Sequence, residues 1–258
     1  MRKVVVLAGL VLLACGCGRK VREEDVFVIA KPGLHLEVGT EVGRTRVWWL
    51  DIEDGDEWNI IGIRPFMAVG LYGRGVNWDL RARGQVTTEE EVDTTSVEAS
   101  ESGTDFRYRL GWGWELGAMT IVSVLTGPSY RHGKVKFSNT ALPDDDPLHY
   151  SYGALTWGAG GRWSHRVGKR MRFFAEGFAE YAFEGGADLA HTSSESVSGL
   201  EKGYALSGRT GLEMHQAGKL WLGLGVFGET YRFSYEGDWD PEDDFLSYGL
   251  FGSLVIRY

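Results

Sequence analysis

Cysteine is almost missing from this chain of 258 residues: there are two, Cys15 and Cys17, and none follows them. The body of the protein therefore has no internal disulfide framework. Proline is scarce at six residues. Beyond the N-terminus no run of some 18 apolar residues occurs, which excludes a transmembrane helix. Excess positive charge is lacking too. The formal charge is −9, and −11 once Arg2 and Lys3 leave with a cleaved leader, which argues against a nucleic-acid partner. None of the six histidines stands in an H-E-x-x-H motif or pairs with cysteine at zinc spacing, and G-x-S-x-G does not occur. Asp144–Asp146 and the Asp240–Asp244 run do not fit the EF-hand pattern and read as solvated loop tips. No metal, cofactor or catalytic residue is expected.

What is present begins with the leader. Met1-Arg2-Lys3 is a basic start, Val4 to Leu13 a short apolar core, and small residues with cysteines follow, which is an export signal. Two cuts fit. "LLAC" ending in Cys15 resembles a lipobox, whose Cys is lipidated; A-x-G ending at Gly16 suits an ordinary signal peptidase. The expected organisation is a signal peptide over 1–16, a linker over 17–32 and one β-domain over 33–258.

Glycine (37 residues), Trp (10) and Tyr (11) are plentiful, and long stretches alternate with a period of two. In Asp105 to Leu116, Phe106, Tyr108, Leu110, Trp112, Trp114 and Leu116 oppose Arg107, Arg109 and Glu115. In Met171 to Phe183, Met171, Phe173, Ala175, Tyr181 and Phe183 oppose Arg172, Glu176 and Glu180. Lys202 to His215 sets Tyr204, Leu206 and Leu212 against Arg209 and Glu213. Leu220 to Tyr235 sets Leu222, Leu224 and Val226 against Trp221 and Glu229. Phe245 to Tyr258 sets Leu250, Leu254 and Ile256 against Arg257. Further strands are expected at 66–83, 120–138 and 149–165, with two more in 33–64 around the Glu53–Glu57 turn. The stretches 84–104 and 190–199 read as loops.

Such strands exceed the usual length of about five or six residues. Tight basic turns (Arg166 to Arg170, Gln216 to Lys219) alternate with long acidic loops, as in a membrane-spanning barrel with its short turns in the periplasm. Lipid offers backbone groups no hydrogen-bond partner, so only helices or closed sheets cross it. The expected fold is all-β, an antiparallel up-and-down transmembrane β-barrel of 8–10 strands. Alternation alone leaves open a soluble, lipocalin-like barrel with the charged face outside. The export signal, the length of the strands and the mass of Trp, Tyr and Leu on one face favour the membrane.

On that reading Arg107, Arg109, Glu115, Arg172, Glu176, Glu180, Arg209, Glu213, Glu229 and Arg257 form an interior charge network. Both signs are needed there, because an unpaired buried charge costs several kcal/mol. Glu176 and Glu180 could serve as acid and base, but pairing with Arg172 and Arg209 explains them better. Ser129 and His132, three apart on a strand, point to opposite faces. Tyr150, Trp163, Trp221, Tyr231 and Tyr258 are candidates for interfacial aromatic girdles.

"PFMAVGLYGRG", "YGALTWGAGGRWSHRVGKRMRFFAEGFAEYAF" and "YGLFGSLVIRY" together resemble the small outer-membrane β-barrel proteins of Gram-negative bacteria, the OmpA/OmpX/OmpW-like group. The resemblance spans most of 66–258 at the level of pattern. It implies residence in the bacterial outer membrane, with outer-membrane lipid and the barrel-assembly machinery as partners and a monomeric state. It also implies that Leu254, Ile256 and Tyr258 act as a C-terminal assembly signal. The expected role is structural or surface-interacting, with acidic outer loops and a side-chain-filled interior. A narrow channel or carrier for small solutes is the alternative, and a membrane-embedded hydrolase a third class.

Overall fold

The computed structural model describes residues 33–49, 57–87, 90–91, 97–117, 119–139, 148–168, 170–191, 194–237 and 242–258. The leader over 1–16 with Cys15, the linker over 17–32 and the Asp144–Asp146 loop tip lie outside them.

The described residues form antiparallel strands: β1 (Gly33–Trp49), β2 (Glu57–Tyr72), β3 (Gly75–Thr87), β4 (Glu90–Glu91), β5 (Val97–Glu115), β6 (Thr120–Asn139), β7 (Leu148–Val167), β8 (Met171–His191), β9 (Ser194–Ala217), β10 (Leu220–Gly237) and β11 (Glu242–Arg257). Each pairs with its sequence neighbours, except that β4 is a two-residue ribbon on β5 and β3 passes directly to β5. The last strand returns to the first, from His35 opposite Arg257 to Trp49 opposite Asp243. Ten strands thus close into a barrel, its first and last strands paired with each other. The Tyr258 N–H donates to the Leu34 carbonyl at 2.8 Å, extending the seam to the last residue.

Four tight turns lie at one end. Each carries a glycine in the left-handed region: Gly75, Gly117, Gly168 and Gly218, with φ of 95°, 75°, 68° and 53°. A side chain there would strain the backbone, which is why short connections keep Gly at these points.

Two sequence expectations are corrected. Residues 66–83 are not one strand: β2 runs through Pro65 to Tyr72, and the chain turns at Gly73-Arg74 before β3. Pro65 interrupts only the ladder to β3, which skips from Ile63–Val86 to Phe66–Arg83, while its pairing with Thr40 on β1 is unbroken. The stretches read as loops at 84–104 and 190–199 are largely strand. β3 extends to Thr87, β5 begins at Val97, and β8 and β9 form a hairpin reaching His191 and Ser194.

The wall changes character along its height. On β5 the outward residues run Leu116, Trp114, Trp112, Leu110, Tyr108 and Phe106, all exposed, and then Thr104 and Ser102. On β9 they run Leu206, Tyr204, then Lys202; on β6, Tyr130, His132, then Lys134 and Lys136. The inward residues change the opposite way. On β10 Glu229 gives way to Tyr231 and Phe233, and on β7 Thr156 gives way to Ala154, Tyr152 and Tyr150. So the half with the tight turns is apolar outside and charged inside, and the far half is apolar inside and polar outside. A protein surrounded by one solvent would have no reason to invert. Lipid around the first half and water around the second accounts for both. Phe106 to Leu116 also has the span of about nine to eleven tilted residues that a bilayer asks of a strand.

Candidate functional site

The interior of the lipid-facing half holds three linked clusters. Nearest the tight turns, Glu213 accepts from Arg172 at 2.8 Å and from Arg257, with Arg162 at 3.9 Å. Above it, Arg209 reaches Glu37 through two nitrogens, at 3.1 and 2.8 Å, and donates to Glu176 through Nε. Arg81 and Arg162 close on Glu176 at 3.2 and 3.3 Å. Phe66, Phe174 and Phe251 surround Arg209, their ring centres 5.3–5.6 Å from its guanidinium carbon. Alongside, Glu180 takes Arg109 at 2.6 Å, Thr156 at 3.1 Å and Ser129 at 3.3 Å, while Arg109 lies 3.3 Å over the Phe178 ring.

The third cluster lies toward the far end. Asp105 and Glu229 are clamped together by Arg83 (2.8 and 2.9 Å), Arg107 (2.6 and 2.8 Å) and Arg131 (3.6 and 3.2 Å). Arg83 also reaches Glu41 at 3.3 Å, and Arg131 stacks 4.2 Å over Tyr231. Among the described residues, every buried cation in these clusters is an arginine. Its planar fork serves two carboxylates at once and sheds water more cheaply than an ammonium, which suits charges that are all desolvated together.

Past this cluster the barrel is capped from within. Tyr150, Tyr152, Tyr231, Phe233, Tyr235 and Phe245 pack into one buried cluster; Tyr231 stacks on Phe245 at 4.4 Å, and the Tyr152 and Tyr231 hydroxyls bond at 2.8 Å. Glu101 is buried beside them, accepting from Tyr152 at 3.2 Å and from the Gln85 amide. Hollows of about 10 and 20 Å³ beside Arg131 and Arg209 have room for a single water each.

Nine of the ten residues assigned to the interior from sequence line it: Arg107, Arg109, Arg172, Glu176, Glu180, Arg209, Glu213, Glu229 and Arg257. Glu115 does not. It shares their parity and still pairs with Ile121 on β6, but the β3–β5 ladder ends at Gly113, and Glu115 is exposed beyond it. Sequence reasoning missed Glu37, Glu41, Arg81, Arg83, Asp105, Arg131 and Arg162, although each alternates with outward apolar residues on its own strand. Of the girdle candidates, Trp163 and Tyr258 face outward, whereas Tyr150, Trp221 and Tyr231 are buried at 1%, 7% and 3% exposure. Trp221 and Tyr231 share the inward parity of Glu229. Ser129 points inward to Glu180, and His132 lies on the other face. Leu254 and Tyr258 are exposed on the outer wall, with Ile256 half-buried between them. Among the described residues, no group of three or more His, Cys, Asp or Glu is arranged to hold a metal ion.

This architecture defines a class: a membrane-spanning β-barrel of the outer-membrane type. No protein-family model matches the chain, and no curated protein matches it in sequence. Comparison with solved structures does find likenesses. The outer membrane protease OmpT from Escherichia coli aligns with a TM-score of 0.56 at 10% identity, over 88% of this chain and 97% of that one. A major outer membrane protein from Thermus thermophilus aligns at 0.44 and 10%, over 87% and 99%. The translocator domain of the autotransporter NalP from Neisseria meningitidis aligns at 0.39 and 12%, over 85% and 88%. The likeness to OmpT is one of fold.

Proposed function

We propose that the protein is a monomeric outer-membrane β-barrel with a structural and surface-presenting role. Its tight turns lie in the periplasm, and the strands of the far half carry the acidic loops outward. The observation that carries this reading is the filled interior, in which arginine–carboxylate clusters occupy the lipid-facing half and a Tyr/Phe cluster the far half. Barrels of about this size have interiors that side chains can fill. The far half then acts as a rigid pedestal, stiffened by its own aromatic core and exposing Lys134, Lys136, Glu184, Asp188, Glu201 and Lys202 to water. Outer-membrane lipid is its solvent and the barrel-assembly machinery its insertion partner, with Leu254, Ile256 and Tyr258 as the signal read. A leader cut before Cys15 makes that residue the site of a lipid anchor, whereas a cut after Gly16 removes it.

Planar-bilayer recording of the purified protein tests the interior. A bilayer that stays silent agrees with the packed barrel, whereas steady ohmic steps would replace it with the narrow channel. Labelled palmitate carried by wild type but not by Cys15→Ser would establish the anchor.

A further inference from the structure

The apolar wall is not uniformly convex. A hollow of about 640 Å³ is sunk into its outer face, walled by Tyr108, Leu110, Trp112 and Trp157 above Gly127 and Pro128. Its cause is local. The β5–β6 ladder passes from Arg107–Ser129 to Leu110–Thr126 and skips the residues between, where Pro128 has no N–H to offer. Glycine lets the backbones approach there: a Cβ on Gly127 would run into the Tyr108 carbonyl, and one on Gly111 into that of Val124. Trp157 Nε1 donates to the Thr126 hydroxyl at 3.0 Å, which donates on to the Gly158 carbonyl at 2.8 Å. The indole is thus pinned with its polar edge satisfied, and what it presents to the hollow is hydrocarbon-like.

Toward the tight turns the surface changes in the order of a lipid molecule. Trp114, Val122 and Trp163 form the next outward row across β5, β6 and β7. The Trp163 ring stacks on His165 at 5.8 Å. Then comes the β7–β8 turn with Arg166 and Arg170. The Arg166 N–H donates to the Met119 carbonyl, and its Nε to that of Gly168, each at 2.8 Å. Arg74, Arg166, Arg170 and Lys219 stand at this end; among the described residues Glu115 is the exposed acidic side chain there, Glu213 being buried and paired inside.

We propose that this wall holds one phospholipid of the leaflet at the tight-turn end, with an acyl chain seated in the Trp112–Trp157 hollow and an anionic headgroup on Arg166 and Arg170. The inference rests on the membrane-spanning reading. Two features with separate causes converge on it: the hollow faces hydrocarbon, and the cations at its end complement a phosphate.

The test is native mass spectrometry of the full barrel in mild detergent, titrated with phosphatidylglycerol or phosphatidylcholine. The expected result is one retained phosphatidylglycerol on the wild type. Thr126→Trp, which fills the hollow from the lipid side, should abolish retention of both lipids, and Val124→Trp supplies the same obstruction by a second route. Arg166→Gln with Arg170→Gln should lower the preference for phosphatidylglycerol about thirtyfold, taking each cation's attraction to an anionic surface at its ordinary strength. Retention unchanged by both tryptophans, or a preference unmoved by losing both arginines, would overturn the proposal. Each variant is first checked for the heat-dependent gel shift of a folded barrel. A wild type without that shift would sink the membrane reading itself, and the lipid site with it.

Discussion

Replacing Arg209 by Met removes the cation on which two buried carboxylates converge. Glu176 is the less affected, since Arg81 and Arg162 remain at 3.2 and 3.3 Å. Glu37 loses both of its close contacts and keeps only Arg81 at 3.9 Å and His35 at 3.8 Å. A buried carboxylate stripped of its partner costs about 3–5 kcal/mol, and the surrounding Phe66, Phe174 and Phe251 exclude water that would otherwise relieve it. Arg209→Met should therefore destabilise the barrel by that amount. Adding Glu37→Gln should recover much of the loss, because the stranded charge, rather than the missing attraction, carries most of the cost. Arg209→Lys keeps the charge but not the fork and should fall between, at about 1–3 kcal/mol. Urea unfolding in lipid vesicles, followed by Trp fluorescence, gives all four corners of the cycle. The reasoning fails if Arg209→Met costs under about 1 kcal/mol, or if Glu37→Gln adds its own penalty to it instead of relieving it.

Other perturbations probe other levels. Deleting Tyr258 removes the bond to Leu34 and the aromatic end of β11, so insertion in the outer membrane should drop; normal insertion would argue against a targeting role. Gly218→Val places a β-branched residue at a φ of 53° in the β9–β10 turn and should cost at least about 1–2 kcal/mol in the same urea assay. Glu101 lies in the far half, outside the lipid, where burial pushes its carboxyl above the usual 4.5. The folded state then holds that proton more tightly than the unfolded one. No penalty exists below 4.5, and stability is lost as pH rises through the raised value. Glu101→Gln should flatten this slope and raise stability at neutral pH; parallel pH profiles for variant and wild type would contradict it.

Much of the barrel can be read from the chain because a period of two separates faces cleanly wherever charge opposes aromatics, as in Arg107 and Arg109 against Tyr108, Leu110 and Trp112. The closure of the last strand on the first is likewise legible, since an open edge cannot sit in lipid. Other features are hidden for physical reasons. Alternation separates two faces but does not say which solvent either meets, so Tyr150, Trp221 and Tyr231 read as girdle residues although they pack inside. Beyond the lipid the inward face turns apolar and the outward face polar, and the polar hairpin over 190–199 then resembles a loop. The β2–β3 turn is masked because Gly73-Arg74 interrupts residues that look equally strand-like on both sides. Glu115 has the right parity but lies beyond Gly113, where the β3–β5 ladder stops, and a sequence does not show where a ladder stops.

The inversion of polarity along the wall is the central claim, and spin-label accessibility tests it directly. Single cysteines are placed at Leu110, Leu206 and Leu250 in the lower wall and at Lys134, Glu184 and Lys202 in the upper, in a chain whose Cys15 and Cys17 are replaced by Ser. In reconstituted vesicles, labels at the first three should collide with oxygen and be shielded from a water-soluble nickel complex, and labels at the second three should show the reverse. Nickel reaching all six positions equally would mean that the wall stands in water throughout, and the account would be wrong.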